Sequence, residues 1–216
     1  MSATRVAVMA KAPEAGTVKT RLCPPCTPQQ AALLAEASLS DTLGTITRVE
    51  GARPVLVLAG APGAWLPAGI EVVRQREGGL GERLAGAVAD LGGPVVIIGM
   101  DTPQVTVDDL RTVVDELHRP DVDAVLGPAE DGGYWVIGLD RAVPGVFDGV
   151  TMSVAGTHDQ QAERLAQLGL RVATTRTLRD VDTFEDAVSV AHECHAGRFA
   201  PTVRRVTTEL DGGPAP

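Results

Sequence analysis

Two lysines stand in one short stretch of this chain, in Lys11-x-Pro13-x-x-Gly16-x-x-Lys19-Thr20-Arg21, and they are its only lysines against seventeen arginines. A lysine is a compact point charge on a flexible stem, whereas an arginine is a rigid fork. Keeping both ammonium groups beside Arg21 suits the neutralisation of two or three phosphates. The stretch leaves a β-branched run, Thr4 to Ala10, and leads toward a helix, so its backbone N–H groups are also available to anions. Gly16 would let the backbone approach closely. No Gly-Lys-Ser/Thr follows, so this is not a Walker-type loop.

Three further stretches carry chemistry. Gly99-Met100-Asp101-Thr102-Pro103 puts a carboxylate just past an apolar run, where it can hold Mg²⁺ or Mn²⁺ with phosphates and water completing the shell. Gly127-Pro128-Ala129-Glu130-Asp131-Gly132-Gly133-Tyr134-Trp135 sets two acids and two glycines before the chain's only tyrosine. Glu130, Asp131, Gly132, Gly133 and Tyr134 are candidates for contact with an acceptor, and Asp131 for a catalytic role. Arg179-Asp180-Val181-Asp182-Thr183 offers Asp182 as a second metal carboxylate, or Asp182 or Thr183 as a helix N-cap. Gly79 and Gly81, in a Gly-rich entry to a helix, could face a base or ribose. The prolines inside Cys23-Pro24-Pro25-Cys26 have no N–H to give a metal-bound sulfur, which argues against zinc or redox work.

The elements that must position these residues alternate. Strands are predicted at 4–10, 54–59, 70–74, 94–99, 124–126, 134–139 and 171–175. Helices are predicted after the Thr27 cap and at 80–91, 107–118, 159–168 and 184–195. This pattern implies βαβ units and a mostly parallel sheet with one antiparallel insertion near Leu126 and Tyr134. Ligands of such sheets bind beyond the strands' carboxyl ends, where the Lys11, Asp101 and Tyr134 loops fall. The chain has 216 residues, 44% hydrophobic, enough for one core. Residues 1–200 read as a single domain and the Pro-, Gly- and Thr-rich 201–216 as a flexible tail. No apolar run is long enough to span a membrane. No signal peptide is evident, and three cysteines suggest no disulfide framework, so the cytoplasm is expected. A formal charge of −9 argues against nucleic acid as a partner.

In order, MAKAPEAGTVKTRL, IGMDTP, GPAEDGGYWVIGL and DVDTFEDA resemble the motifs of a family of small GT-A-like transferases labelled DUF2064, or radical-SAM/selenodomain-associated transferase 1. The likeness runs from Val6 to Ala187. The first motif is also similar to that of 2-phospho-lactate guanylyltransferases. The resemblance implies a single-domain, three-layer α/β/α nucleotide-diphospho-sugar transferase fold. It also implies metal binding at Asp101, completed by Asp182, and phosphate binding by Lys11, Lys19 and Arg21. The chain departs from the family pattern at Met100, Thr102 and Phe184, none of which removes a chemical group.

The expected function is metal-dependent transfer from a nucleotide to a small molecule. Nucleotidyl transfer from an NTP to a phosphorylated or phosphonate acceptor comes first, with Lys19, Asp101 and Asp131 as the catalytic set. Glycosyl transfer from an NDP-sugar is the alternative, and a nucleotide-binding regulator without turnover is the third.

Overall fold

The computed structural model describes residues 3–212. The first strand, β1 (Arg5–Lys11), is followed by a 3₁₀ turn (Thr20–Leu22) and helix α1 (Pro28–Ile46). There follow β2 (Arg53–Ala59), β3 (Glu71–Arg74), α2 (Leu80–Leu91), β4 (Val95–Gly99) and α3 (Val107–Leu117). The second half holds β5 (Ala124–Pro128), β6 (Tyr134–Leu139), α4 (Thr157–Gln167), β7 (Val172–Thr174), α5 (Phe184–Glu193) and α6 (Phe199–Leu210).

One seven-stranded sheet runs in the order β3-β2-β1-β4-β6-β5-β7. Only β6 is antiparallel to its neighbours. The expected mixed, mostly parallel sheet is therefore the observed one. Chain order runs outward from β1 through β2 to β3 and then returns to β4 on the other side of β1. The crevice where the order reverses lies between the ends of β1 and β4, and that is where the Lys11 and Asp101 loops leave the sheet.

Alternation along the strands explains the layers. Val6, Val8, Val96 and Ile98 face a core with Leu39, Leu43 and Ile46 of α1 and Leu110, Val113 and Leu117 of α3. Ala7, Val55, Val57, Val95 and Ile97 face the other way, onto Leu84, Ala87, Val88 and Leu91 of α2 and Leu165 of α4. A strand covered on both faces must be apolar throughout, which is the composition of β4. The caps are local. Thr27 accepts from Gln30 N while Gln30 Oε1 accepts from Thr27 N, with Pro28 in the first turn. Thr106–Asp109 and Thr183–Asp186 close the same reciprocal boxes on α3 and α5.

Residues 201–210 are not the free tail expected from composition. They belong to α6, which packs on α1 and α5 in a third apolar cluster of Phe199, Val203 and Val206 with Leu34, Ala37 and Val190. Pro201 lies in the helix's first turn, where a missing N–H costs nothing. Residues 213–216 of the expected tail lie outside the described residues. Among the described residues no helix is long and apolar enough to cross a membrane.

Far from the strands' carboxyl ends, Asp123 ties β7 to the start of β5. It accepts from Arg171 N at 2.9 Å, from Arg171 Nε at 2.7 Å, and from Arg141 Nη1 at 3.3 Å. The Arg171 hydrogen bonds hold its carboxyl well below the usual carboxylate range. A depressed folded pKa contributes stability that is complete above the unfolded value, about 3.9, and is lost as pH falls through the folded value. Asp123→Asn is therefore expected to lower Tm by several degrees at pH 7. The gap from the parent protein should close as thermal scans move below pH 4. A gap that is constant with pH would rule out this ion pair as the cause.

Candidate active site

Two lobes of one cleft open at the reversal point. The first has a volume of about 330 Å³ and is walled by Lys11, Lys19, Arg21, Gln75 and Arg83. The second, about 270 Å³, has apolar walls from Leu84, Ile97, Tyr134, Trp135 and Met152 and holds Asp131 and Asp180. Asp101, Asp182, Arg21, Met9, Leu80 and Ser153 line both.

The junction is built by two loops that dock on each other. Asp101 leaves β4, and its carbonyl accepts from Val181 N at 2.9 Å. The Met100 carbonyl accepts from buried Ser38 Oγ of α1 at 2.5 Å, which fixes the same loop from below. Thr183, not Asp182, caps α5, so the Asp182 carboxylate is released from capping and turns to the cleft.

Lys19 occupies the space between these carboxylates. Its ammonium stands 2.7 Å from Asp101 Oδ1 and 3.8 Å from Asp182 Oδ1, and it donates to the Val181 carbonyl. Its side chain is only 9% exposed, so these oxygens and not water solvate its charge. Arg21 Nη1 pairs with Asp182 Oδ2 at 2.9 Å. Two of the three cations expected on phosphates are thus engaged with carboxylates. Lys11 is exposed on the wall of the first lobe.

Two residues that sequence reasoning missed stand beside them. Asp180 has a buried Oδ1 without a partner among the described residues. Burial, reinforced by the charges of Asp101 and Asp131, pushes its carboxyl up to about 7. Its signal was the Asp-x-Asp spacing, but only a structure shows which of the two acids is enclosed. Arg83 is the other. Gln75 is buried, spends its amide protons on the Ala10 and Val57 carbonyls, and accepts from Arg83 Nη1 at 3.1 Å. Nε of Arg83 is buried and without a partner among the described residues. The signal was a cation one turn into α2, after the Gly-rich entry.

Residues 42–154 match the model of a family described as an uncharacterized protein conserved in bacteria, DUF2064. The chain belongs to this family. No curated protein matches it at a significant level. Among solved structures, a Desulfovibrio desulfuricans G20 protein provisionally named a nucleotide-diphospho-sugar transferase is 27% identical, with a TM-score of 0.86 and 98% of each chain covered. The manganese complex of Rv0371c from Mycobacterium tuberculosis H37Rv is 24% identical, with a TM-score of 0.51 over 88% of this chain and 97% of that one. A CMP-2-keto-3-deoxy-manno-octonic acid synthetase with CTP is 11% identical, with a TM-score of 0.53 over 83% and 93%. The last two show the fold that the DUF2064 chain shares with them.

Several expected contacts of the DUF2064 chain lie away from the cleft. Gly79 and Gly81 border a separate hollow beside Phe147 and Gly149, and Gly79 N donates to Glu82 Oε2 in the cap of α2. The same loop reaches the cleft through Leu80 and Arg83 instead. Gly16 sits at φ 81 on the exposed loop with nothing near a would-be Cβ, so it serves the turn. Glu130 is turned out to Arg179 at 2.7 Å and lines neither lobe. Asp131 does line the second lobe, while its Oδ1 accepts from Gly133 N at 2.8 Å. Tyr134 joins it, and burial pushes its phenol pKa upward. Cys26 is buried in the apolar cluster under α1 and α5. Its thiol is pushed up to about 11 by burial and by Cys23, so it is a poor thiolate.

Gly132 answers to the chain rather than to a ligand. Its φ is +86, and a Cβ there would fall 1.9 Å from the Ala155 carbonyl oxygen. Gly132→Ala should cost roughly 1–3 kcal/mol in backbone strain and roughly 1–3 kcal/mol more in overpacking. Denaturant unfolding would measure it. A loss below about 0.5 kcal/mol, within the range of ordinary surface changes, would mean that the 153–156 loop yields freely.

Proposed function

We propose that the chain is a transferase assisted by a divalent metal. It draws on a nucleotide whose phosphates lie in the cationic lobe and passes a group to an acceptor in the apolar, acidic lobe. The observation that carries this reading is the junction: Asp101 and Asp182 belong to the walls of both lobes. A group held there is open to donor and acceptor at once, the positioning on which group transfer depends.

The residues present fit a hard cation. Asp101, Asp182 and the Val181 carbonyl already surround one positive charge, the Lys19 ammonium. Among the described residues no three acidic, His or Cys side chains gather closely enough to hold a metal alone. That suits Mg²⁺ or Mn²⁺ bound through one or two carboxylates and the substrate's own phosphates. Bound there, the metal would neutralise charge developing on the donor's phosphates. Lys11 and Arg83 supply cations toward the outer phosphates.

Nucleotidyl transfer from an NTP, with pyrophosphate leaving toward Lys11 and Arg83, is the first reading. The acceptor class changes from the one expected from sequence. The acceptor lobe sets Asp101, Asp131, Asp180 and Asp182 against one arginine, Arg21, which is already paired. With a metal on Asp101 and Asp182, Asp131 and Asp180 remain to receive a hydroxyl's proton, and among the described residues the lobe offers no unpaired cation to a phosphorylated acceptor. The same acids suit a sugar's hydroxyls, which is the specific support for the second reading, glycosyl transfer from an NDP-sugar.

The test is a thermal-shift screen of NTPs and NDP-sugars with and without Mg²⁺, since a ligand of the folded state raises Tm. Pyrophosphate and NDP release would then be assayed with a pool of small alcohols. The first reading expects pyrophosphate. NDP release from a nucleotide sugar without pyrophosphate from any NTP favours the second. No stabilisation by any nucleotide would overturn both.

A further inference from the structure

We infer that Lys19 is a built-in counter-cation for the metal site, displaced by the metal onto the nucleotide's phosphates, so that metal and phosphates bind as a coupled pair. The inference rests on the metal reading above and assigns a further role to one of this chain's own residues.

The geometry is that of a cation and its ligands. Asp101 Oδ1, Asp182 Oδ1 and the Val181 carbonyl all lie within 4 Å of Nζ. The carbonyl has no charge to satisfy, so its presence marks oxygen crowding around one positive centre. Lys19 reaches it from a left-handed backbone, φ 50 and ψ 40, at the N-cap of the 3₁₀ turn, and makes no side-chain capping bond there. A non-glycine residue in that region costs about 1–2 kcal/mol. The neighbouring Val18 is buried, which fixes the backbone from which the Lys19 side chain extends.

Two cations cannot share this position. A divalent ion satisfies both carboxylates, and an ammonium a few ångströms away would be repelled by it. The evicted ammonium must then enter the first lobe, which already holds Lys11 and Arg83. Without an anion that is unfavourable, and with a diphosphate between the three cations it is favourable. Metal should therefore bind weakly alone and tightly with phosphates, and by linkage each raises the other's affinity by the same factor, about 5- to 150-fold for couplings of ordinary size.

The chain's two lysines make the test site-resolved. Lys11 is exposed and Lys19 is enclosed, so brief amine methylation followed by mass spectrometry should label Lys11 and spare Lys19 in the metal-free wild-type protein. Saturating Mg²⁺ should raise Lys19 labelling toward that of Lys11. In Mn²⁺ titrations followed by electron paramagnetic resonance, Lys19→Met should bind Mn²⁺ alone about tenfold or more tighter than wild type, within the same range of couplings. Inorganic pyrophosphate should strengthen Mn²⁺ binding to wild type beyond its own chelation, and should do so much less in the variant. Continued protection of Lys19 at saturating metal, or Mn²⁺ binding to Lys19→Met no tighter than to wild type, overturns this inference and leaves the metal reading standing. Absence of Mn²⁺ binding to both proteins overturns the two together. Should Lys19→Met fail to fold, the wild-type labelling decides alone.

Discussion

Asp101→Ala is expected to lose metal-dependent transfer by roughly 1,000-fold or more, the several kcal/mol that a bound cation supplies to a charged transition state. The fold should survive. The Asp101 side chain is 39% exposed, and the bond that docks the 179–183 loop uses its backbone carbonyl, which alanine keeps. Circular dichroism and Tm near the parent values, together with turnover at background, are the expected pair of results. Asp101→Asn preserves shape and removes charge, and it should behave almost as badly. Full Mg²⁺-dependent activity in either variant would remove Asp101 from the metal site.

Lys19→Ala should produce the second large effect, and it should act in opposite directions on binding and on rate. If the freed ammonium settles on the leaving pyrophosphate, its loss removes a charge donor that works in the transition state. Such donors are typically worth about 100- to 1,000-fold in kcat. The variant should also fail in the reverse, pyrophosphate-dependent direction. Metal alone should nevertheless bind more tightly, because its competitor is gone. A merely structural lysine would not improve one quantity while ruining the other. Wild-type kcat with NTPs in Lys19→Ala would exclude the residue from nucleotidyl transfer. Under glycosyl transfer, where the metal holds most of the diphosphate, the expected loss is much smaller.

The frame of the molecule was legible because its signals are local. The apolar run of β4 has one reading in an alternating chain, and the Thr27, Thr106 and Thr183 boxes close within three residues. Asp101 and Lys11, which line the cleft, drew notice because strand ends announce themselves. What escaped was long-range or compositional. Lys19 and Val181 are 162 positions apart, and nothing near either residue says that they meet. Asp180 and Asp182 look alike in sequence, yet one is enclosed and the other capable of pairing, a difference made by the docking of their loop on Asp101. In α6, Phe199, Val203, Val206 and Leu210 recur at helical spacing, but proline and threonine content hid the period. Gly79 and Gly81 border a separate hollow, which their residue type could not foretell: glycine permits close approach without saying by what.

The lone reversed strand, β6, divides labour within the cleft. Because it runs against the others, the Asp131–Gly133 turn enters the cleft at its beginning, opposite the loops that follow β1 and β3. The cationic lobe is furnished largely by the first half of the chain, while the 129–135 and 152–157 segments, which brace each other through Gly132 and the Ala155 carbonyl, supply eight residues to the wall of the apolar, acidic lobe. These two segments form an exchangeable cassette. Replacing them together with those of a related chain, with Ser153 of the cationic lobe kept, should redirect the enzyme to a new acceptor while leaving its choice of nucleotide intact, whereas replacing one alone would break their mutual fit.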